Sequence, residues 1–552
     1  MKRNNKIRSG VFIAILFTGL FFTGCEEFLD VEDLNHVTTL DTQTPDGLRM
    51  LDIGLFANFK GDYNYFWPLY YAHCAGEYEF IEPTGEGPDH YQMWSLNYSS
   101  TNNFIIWLYA GCYQAIGTAN RIIEYIENHE GTVDEMPQGE RERILGTAYF
   151  MRGFMYFKLL HLWGKPYDES DKWGVVVYTN VVTNRDSTQK ARAKVGEVYA
   201  LIESDFTKAK NYLWTPAELA TVTPSELGRP TKAAASAWLG KIYLFQNKYA
   251  QAIAEFQDFE NNYLKVTGDN HKGLLDYYGD NFHLEYENGI ESLFEVQWGD
   301  LTTTSMWGGG GGASNFQIYV GGPGMGRGNV NLRPDIFNED HGPYFTKFEP
   351  YDIRKIESRF SDETDSIVLN GTKIYVRDSV RIGVNLPGVM IPYEKGTRCT
   401  YTPKKYINRF NPPSMAPDVN DENQIITRVA EVYFLYAEAL IEGNGDLSVA
   451  REYLNKITRR AYGYNEDVPC PYDIAYSDAA SLRNHLRADK RKEFIGEMIR
   501  WHDMIRWDGT YGYSIEQECA ITERVYTTKA SVWPIPLRDI STNLLLEQYP
   551  GY

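Results

Sequence analysis

Residues 231–263 read TKAAASAWLGKIYLFQNKYAQAIAEFQDFENNY. Ala235, Trp238, Leu239 and Ile242 fall at i, i+3, i+4 and i+7, and Tyr249, Ala252, Ile253 and Phe256 repeat that spacing. Each set lays one apolar stripe along a helix. Asn247 and Lys248 leave room only for a tight turn between the two helices. The stretch therefore predicts an αα-hairpin.

That hairpin resembles a tetratricopeptide repeat at Leu239, Gly240, Tyr243, Tyr249, Ala252 and Phe256, with Ser236 in place of the consensus Trp and Leu264 in place of the closing Pro. Working outward, helical patterns are expected at 46–60, 102–129, 139–163 and 194–213, and again at 425–442, 446–461 and 479–507. Stacked helical pairs of this kind bury a continuous core. Two regions differ. Residues 61–100 are irregular and crowded with Tyr and Trp, and 265–424 are rich in Gly, Pro, Asn and Asp, with β-like runs at 367–369 and 373–376. Long loops of this type carry function more often than packing. The expected fold class is mostly α: tetratricopeptide-like helical hairpins forming a scaffold, with an inserted loop-rich lobe carrying short β-strands.

Of the 552 residues, 43% are hydrophobic and 23% charged, a balance that excludes disorder over the whole chain. Aromatics reach 14%, so some of them are expected on a binding surface rather than in the core. A formal charge of −20 repels phosphate backbones and argues against a nucleic-acid partner. After residues 11–22 no apolar run approaches the ~20 residues that cross a bilayer as a helix, so the chain is not expected to be a channel or transporter by itself.

Lys2, Arg3, Lys6 and Arg8 precede the apolar stretch 11–22, and Thr23-Gly24-Cys25 follows it. This is the layout of an export signal with its cleavage site. It resembles a bacterial lipoprotein box, in which the Cys25 thiol is acylated with palmitate-type chains and becomes the new N-terminus. Phe22 departs from the Leu usual in that box. Glu26 and Glu27 are similar to the surface-export signal of Bacteroidota lipoproteins. Cleavage before Cys25 takes the formal charge from −20 to −24, and acylation anchors a protein without any spanning helix. Cys74, Cys112, Cys399, Cys470 and Cys519 form no CxxC pair, so buried free thiols are expected rather than zinc. The expected organisation is a signal peptide at 1–24, a lipid-anchored tether at 25–44 and a helical lobe at 45–264 that includes the aromatic loop 61–100. A loop-rich ligand-binding lobe follows at 265–424, and helical hairpins with a tail at 425–552 complete the scaffold.

Several segments together resemble the SusD/RagB family of surface nutrient-binding lipoproteins. Phe28-Leu29-Asp30 matches the family's opening, and Tyr113, Ile116 and Asn120 its first long helix. Ala148, Arg152, Tyr156, Phe157, Leu159, Gly164 and Pro166 match the next helix. Arg428, Ala430, Glu431, Tyr433, Leu435, Ala437, Glu438 and Ala439 match a third block, and Asn455 with Arg459 a fourth. Arg491, Glu493, Glu497, Arg500, Asp503, Arg506 and Trp507 match the late helix. Trp533-Pro534-Ile535-Pro536 and the terminal Gln548-Tyr549-Pro550-Gly551-Tyr552 match the ending, with Tyr549 where Asn is usual. The resemblance implies a lid over a SusC-like TonB-dependent outer-membrane transporter, with capture of oligosaccharides, or of peptides in some relatives, for import.

The late cluster Arg491, Glu493, Glu497, Arg500, Asp503 and Arg506 has the look of a catalytic site, with Glu493 and Glu497 at i, i+4 on one helical face. Charges so spaced more often pair with one another, so structural ion pairing is expected there and at Arg152 and Glu438. No GxSxG or HExxH motif supports a hydrolase, although a glycosidase needs only two suitably placed carboxylates. His161 and His502 lie on core-type helices and are expected to be packed. Asp418, Asn420 and Glu422 alternate as in a calcium loop but lack its Gly. They read as solvated loop acids, as do Asp362, Glu363 and Asp365. No cofactor and no metal is expected.

A sugar site needs flat aromatics for stacking and Asn, Asp or Arg for hydroxyls. Two concentrations offer them. Tyr63, Asn64, Tyr65, Trp67, Tyr70, Tyr71, Tyr91 and Trp94 form one, and Trp298, Trp307 and Tyr319 the other, with the five glycines 308–312 directly after Trp307. Trp67 and Trp107 could equally pack in the core. The expected function is non-enzymatic, surface-anchored glycan binding. Its partners would be a SusC-like transporter, a glycan ligand and, through acylated Cys25, outer-membrane lipid. The alternatives are the same role for peptides, a surface glycosidase, or a structural tetratricopeptide adaptor.

Overall fold

The computed structural model describes residues 44–64, 76–80, 88–128, 135–222, 226–298, 330–333, 335–359, 366–369, 372–375, 404–405 and 422–552. Its elements run α1 (Pro45–Asn64), β1 (Tyr78–Phe80), α2 (Pro88–Trp94), α3 (Asn103–Asn128), α4 (Gln138–Trp163), α5 (Val195–Tyr212), α6 (Lys232–Phe245) and α7 (Tyr249–Phe259). Then follow β2 (Ser292–Val296), β3 (Val330–Leu332), β4 (Ser366–Leu369), β5 (Thr372–Tyr375), β6 (Gln424–Arg428), α8 (Val429–Glu442), α9 (Leu447–Ala461), α10 (Ala479–Glu493) and α11 (Arg500–Trp507), with short helical turns between. The chain is mostly α. Its strands pair antiparallel as β1–β3, β2–β6 and β4–β5.

The hairpin at 231–263 forms as its periodicity requires. Thr231 caps α6 by accepting from the Ala234 N–H, which satisfies one of the helix's orphan donors. Asn247 takes φ +59° in the turn. Gly240 is needed for close approach: a Cβ there would lie 2.5 Å from the Phe256 ring. From α3 to α9 each helix packs on the next, and α1 packs on α3, so the core is continuous along the array.

Polar pairs tie this array together. Arg152 on α4 donates twice to Asp205 on α5, at 2.8 and 2.7 Å, and once to Asn120 Oδ1 on α3 at 2.8 Å. Glu438 on α8 accepts from Arg506 and from Trp507 Nε1. Both are the structural ion pairs expected. His161 is buried, stacked 4.0 Å from Phe157, with Nε2 3.1 Å from the Tyr199 hydroxyl. Burial pushes His502 down to about 3, so it stays neutral. The tail closes back on α4: Trp163 Nε1 donates to Pro534 O at 3.0 Å, and the Trp163 and Trp533 rings meet edge to face. Cys112, Cys470 and Cys519 are free thiols, Cys470 only half-buried.

Two helical expectations are corrected. Residues 424–428 form strand β6, not the start of a helix, because they pair with β2. Residues 479–507 form two helices, not one. Gly496 and Met498 take φ of +75° and +61° and break the run, so Glu493 and Glu497 do not share a helical face. They still converge, because both bond Arg428. The β-like run at 367–369 and residues 373–375 of the second run do pair antiparallel, within β4 and β5.

Gly240→Ala is expected to lower stability by about 1–3 kcal/mol through overpacking against Phe256. Gly54→Ala on α1, where a Cβ meets nothing within 4 Å, is expected to be neutral or to add about 0.5–1 kcal/mol. Denaturation midpoints of the two variants check the contrast; equal midpoints would remove the close-approach account.

Candidate functional site

The site is built from the N-terminus of α3. Asn102 is its cap: Oδ1 accepts from the Phe104 and Ile105 N–H groups at 3.0 and 3.4 Å. The Asn102 amide then reaches α2, donating to Asp89 O and Gln92 Oε1, each at 3.0 Å. Asp89 accepts from the Asn103 side chain at 2.7 Å. Pro88, at the first position of α2, loses no helical hydrogen bond there. So α2 is locked across the start of α3, with His90 turned inward against Phe104 at 4.9 Å.

This locking decides where the aromatics point. Tyr91 is 55% exposed, and its ring lies 5.8 Å from that of Trp94. Trp94 is half-buried, and its Nε1 donates to Tyr78 O at 3.3 Å, which attaches β1 to α2. On α3, Trp107 is 46% exposed, with its ring 5.7 Å from Phe104. Tyr91, Trp94 and Trp107 thus flank one helix–helix junction.

β1 in turn pairs with β3, matching Tyr78 to Leu332, Glu79 to Asn331 and Phe80 to Val330. This register joins the chain of the first aromatic concentration to the chain that follows the second. The ribbon is pinned to the C-terminal helices. Gly76, at φ +80°, runs against Thr522, where a Cβ would come within 2.3 Å of the hydroxyl. Arg333 N donates to Glu77 O at 2.9 Å and Arg333 Nη1 to Thr522 O at 3.2 Å. Glu77 Oε2 accepts from Gly496 N at 2.9 Å.

Of the residues expected from sequence, Tyr91 and Trp94 are therefore placed at this corner. Tyr63 and Asn64 end α1, and their side chains lie outside the described residues, as do Tyr65, Trp67, Tyr70, Tyr71, Trp307, Tyr319 and Cys25. Trp298 follows β2 and is only 7% exposed, packed in the core, and its backbone N–H donates to Asn423 Oδ1 at 2.7 Å; an open stacking face is not what it offers. Trp107, which like Trp67 could equally have packed in the core, is exposed on α3. A helical wheel would have found it: Ile105 and Tyr109, each two positions away, are buried on the opposite face. Asn102 and Asp89 were not singled out in the sequence, although Asn before an apolar-periodic helix and Asp after Pro at a helix start are capping signals.

A separate cleft of about 320 Å³ lies between residues 216–231 and β2, lined by Leu219, Leu227, Ile290, Lys272 and Glu295 among others. It contains none of the sequence-predicted aromatics. Among the described residues, no group of His, Cys, Asp or Glu is placed to hold a metal ion, and no helix is long and apolar enough to cross a membrane.

Residues 61–244 match a family model described as starch-binding associating with outer membrane, and residues 291–552 match that of the SusD family. The chain belongs to the SusD family. It is similar to the SusD-like protein P25 of Formosa agariphila, 22% identical over 566 residues that cover 96% of this chain and 97% of the relative. Its fold is similar to that of a SusD-like protein from Bacteroides fragilis, with TM-score 0.70, 19% identity and coverage of 92% and 98%. It is also similar to that of a laminarin-binding SusD-like protein, with TM-score 0.66, 18% identity and coverage of 92% and 100%. SusD-family membership makes the chain a glycan-binding protein of the outer membrane, not an enzyme.

The pin beneath this corner is itself titratable. Burial pushes Glu77 up from 4.5 to about 7, against the opposing pull of Arg491, Arg500 and Lys405. An acid whose folded pKa is raised costs stability as pH rises from the unfolded value to the folded one. The wild type is therefore expected to lose stability relative to Glu77→Gln between pH 4.5 and about 7, with a flat difference outside that window. Melting midpoints of both proteins across pH give that difference curve. A flat curve throughout would mean that Glu77 titrates at the same value folded and unfolded, so that burial does not raise it.

Proposed function

We propose that this protein captures glycan chains at the cell surface and delivers them to a SusC-like TonB-dependent transporter, acting as its lid, with acylated Cys25 holding it to the outer membrane. The observation that carries the glycan contact is the junction of α2 and α3. Sugars present apolar C–H faces and a rim of hydroxyls. Tyr91 and Trp107 offer open ring surface to the former. Asp89, Gln92 and Asn103 offer acceptors and donors to the latter. Tyr63, Asn64, Tyr65, Trp67 and Tyr70, with Trp307 and Tyr319, are further candidate contacts on sequence composition alone. The laminarin-binding relative is consistent with a glycan as ligand. The energy for import lies in the transporter, since no motif here resembles a nucleotide site.

Calorimetric titration of residues 26–552 against polysaccharides, their oligosaccharides and peptide mixtures tests this. Heat with a glycan class, without cleavage products, is the expected result; heat with peptides alone would overturn it. Combined Tyr91→Ala, Trp94→Ala and Trp107→Ala is expected to weaken glycan affinity by about tenfold or more, since a buried stacking aromatic is worth about 1 kcal/mol or above. Unchanged affinity in the folded variant would move the site elsewhere. Separately, Cys25→Ala is expected to abolish palmitate labelling, because Cys25 is the residue that carries the acyl chains; labelling that persists would place the anchor elsewhere.

A further inference from the structure

A second aromatic surface lies on the connection between α9 and α10, and it shares no element with the α2–α3 corner. Residues 462–476 carry Tyr462, Tyr464, Tyr472 and Tyr476, with Pro469 and Pro471 between. The Tyr462 and Tyr472 rings stack face to face, with centroids 3.9 Å apart and planes 1° from parallel. Tyr464 lies 6.2 Å from Tyr472. Tyr464 is 42% exposed and Tyr472 40%. The turn before Ile353 packs on the same corner, with Ile353 against Gly463, and brings Tyr351, which is 75% exposed.

The rings are held by a rigid base. Arg459, buried on the last turn of α9, bonds Asp473 through Nε at 2.8 Å and Nη2 at 2.6 Å. Its Nη1 bonds Glu452 at 2.6 Å and Glu466 O at 2.8 Å. Asn455 Oδ1 accepts from Ile474 N at 2.8 Å, and Asp473 Oδ1 from Cys470 N at 3.2 Å. Arg459 holds the Asp473 carboxyl down to about 2, so this clamp stays ionised at any physiological pH. A loop so tightly tied would fold without large exposed rings, and pre-ordered aromatics lose little entropy when a ligand stacks on them.

The rim selects the ligand class. Asn465 and Asp467 are exposed beside the rings, and the local cations are engaged, Arg459 by Asp473 and Glu452 and Lys456 by Asp467. With Lys456 and Arg459 paired, neither is open to a uronate or sulfate, while Asn465 and Asp467 accept from sugar hydroxyls. We propose that Tyr464, Tyr472 and Tyr351 form a second contact for a neutral glycan chain, used by polymers together with the α2–α3 corner. This rests on the reading of that corner as the first glycan contact. Two contacts on one chain raise affinity for a polymer without raising it for a fragment that reaches only one of them.

The test compares the mature wild type with Y464A/Y472A and with Y464W, using soluble starch, laminarin and short oligosaccharides of each. Both variants are expected to stay folded, the double variant with a slightly lower melting midpoint because it loses the Tyr462–Tyr472 stack. The double variant is expected to lose about tenfold or more in affinity for the bound polymer and nothing for its oligosaccharide, while Y464W, with its larger ring, keeps polymer affinity. Unchanged polymer affinity in the double variant overturns the proposal; if transporter co-purification is lost at the same time, the surface belongs to a protein partner. Equal loss for polymer and oligosaccharide also overturns it. A wild type that binds no glycan at all would refute the α2–α3 reading itself, and this proposal with it.

Discussion

Arg428 is the point on which the assembly turns. Its buried guanidinium bonds Glu291 at 2.8 Å, Glu493 at 2.6 Å and Glu497 at 2.9 Å, and also reaches the Glu493 carbonyl at 3.1 Å. Arg460 bonds Glu291 at 2.7 Å and shares Glu493, while Arg354 joins Asp352 and Asp489 to the same network. Lys405 bonds Glu497 at 2.7 Å. Each buried ion costs several kcal/mol to desolvate, and removing one partner strands the other. The arginines hold Glu493 at about 2 despite its burial. Such a network is weak as a source of stability but demanding in geometry: it is satisfied only when β6, α9, α10 and the chain before β2 all meet.

That demand explains the break between α10 and α11. A continuous helix would carry Glu497 along the axis. The left-handed turn instead lets Glu497 reach Arg428 and lets Gly496 N reach Glu77. Through Glu77 the network touches the residue before β1, and β1 is tied to both Trp94 and β3. The exposed aromatics therefore rest on a rigid floor of charge, three bonded steps away. Ordering them in advance reduces the entropy lost when a ligand stacks.

Much of this was legible from residues. The long apolar periodicities at 102–163 and 231–263 became α3, α4, α6 and α7 with boundaries close to those expected, because their stripes are decided by spacing alone. The bland reading of the late charges also holds: Arg500 bonds Glu518, Lys490 bonds Asp503, and Arg506 bonds Glu438. What misled were short segments. Gln424–Arg428 contains Ile425, Ile426 and Thr427, β-branched residues that favour strand, yet it sits directly before a strong helical pattern that absorbed it. Around the junction of α2 and α3, composition pointed to Tyr91 and Trp94, whereas Trp107 needed its helical face to be read and Trp298 the contacts of the fold. One is exposed on the far side of a buried stripe and the other packed beside Asn423.

By itself, then, the sequence determined the class of the protein: the helical hairpins, the family blocks from Phe28 to Tyr552, and an unusually high aromatic content. These are properties of local spacing and composition, and they survive without knowing what touches what. Only the tertiary structure decided which aromatics face solvent, that 78–80 pairs with 330–332, and that one arginine gathers three distant glutamates. Those outcomes depend on contacts between residues far apart in the chain, where hydrogen-bond pairing and the cost of burying charge override local propensity.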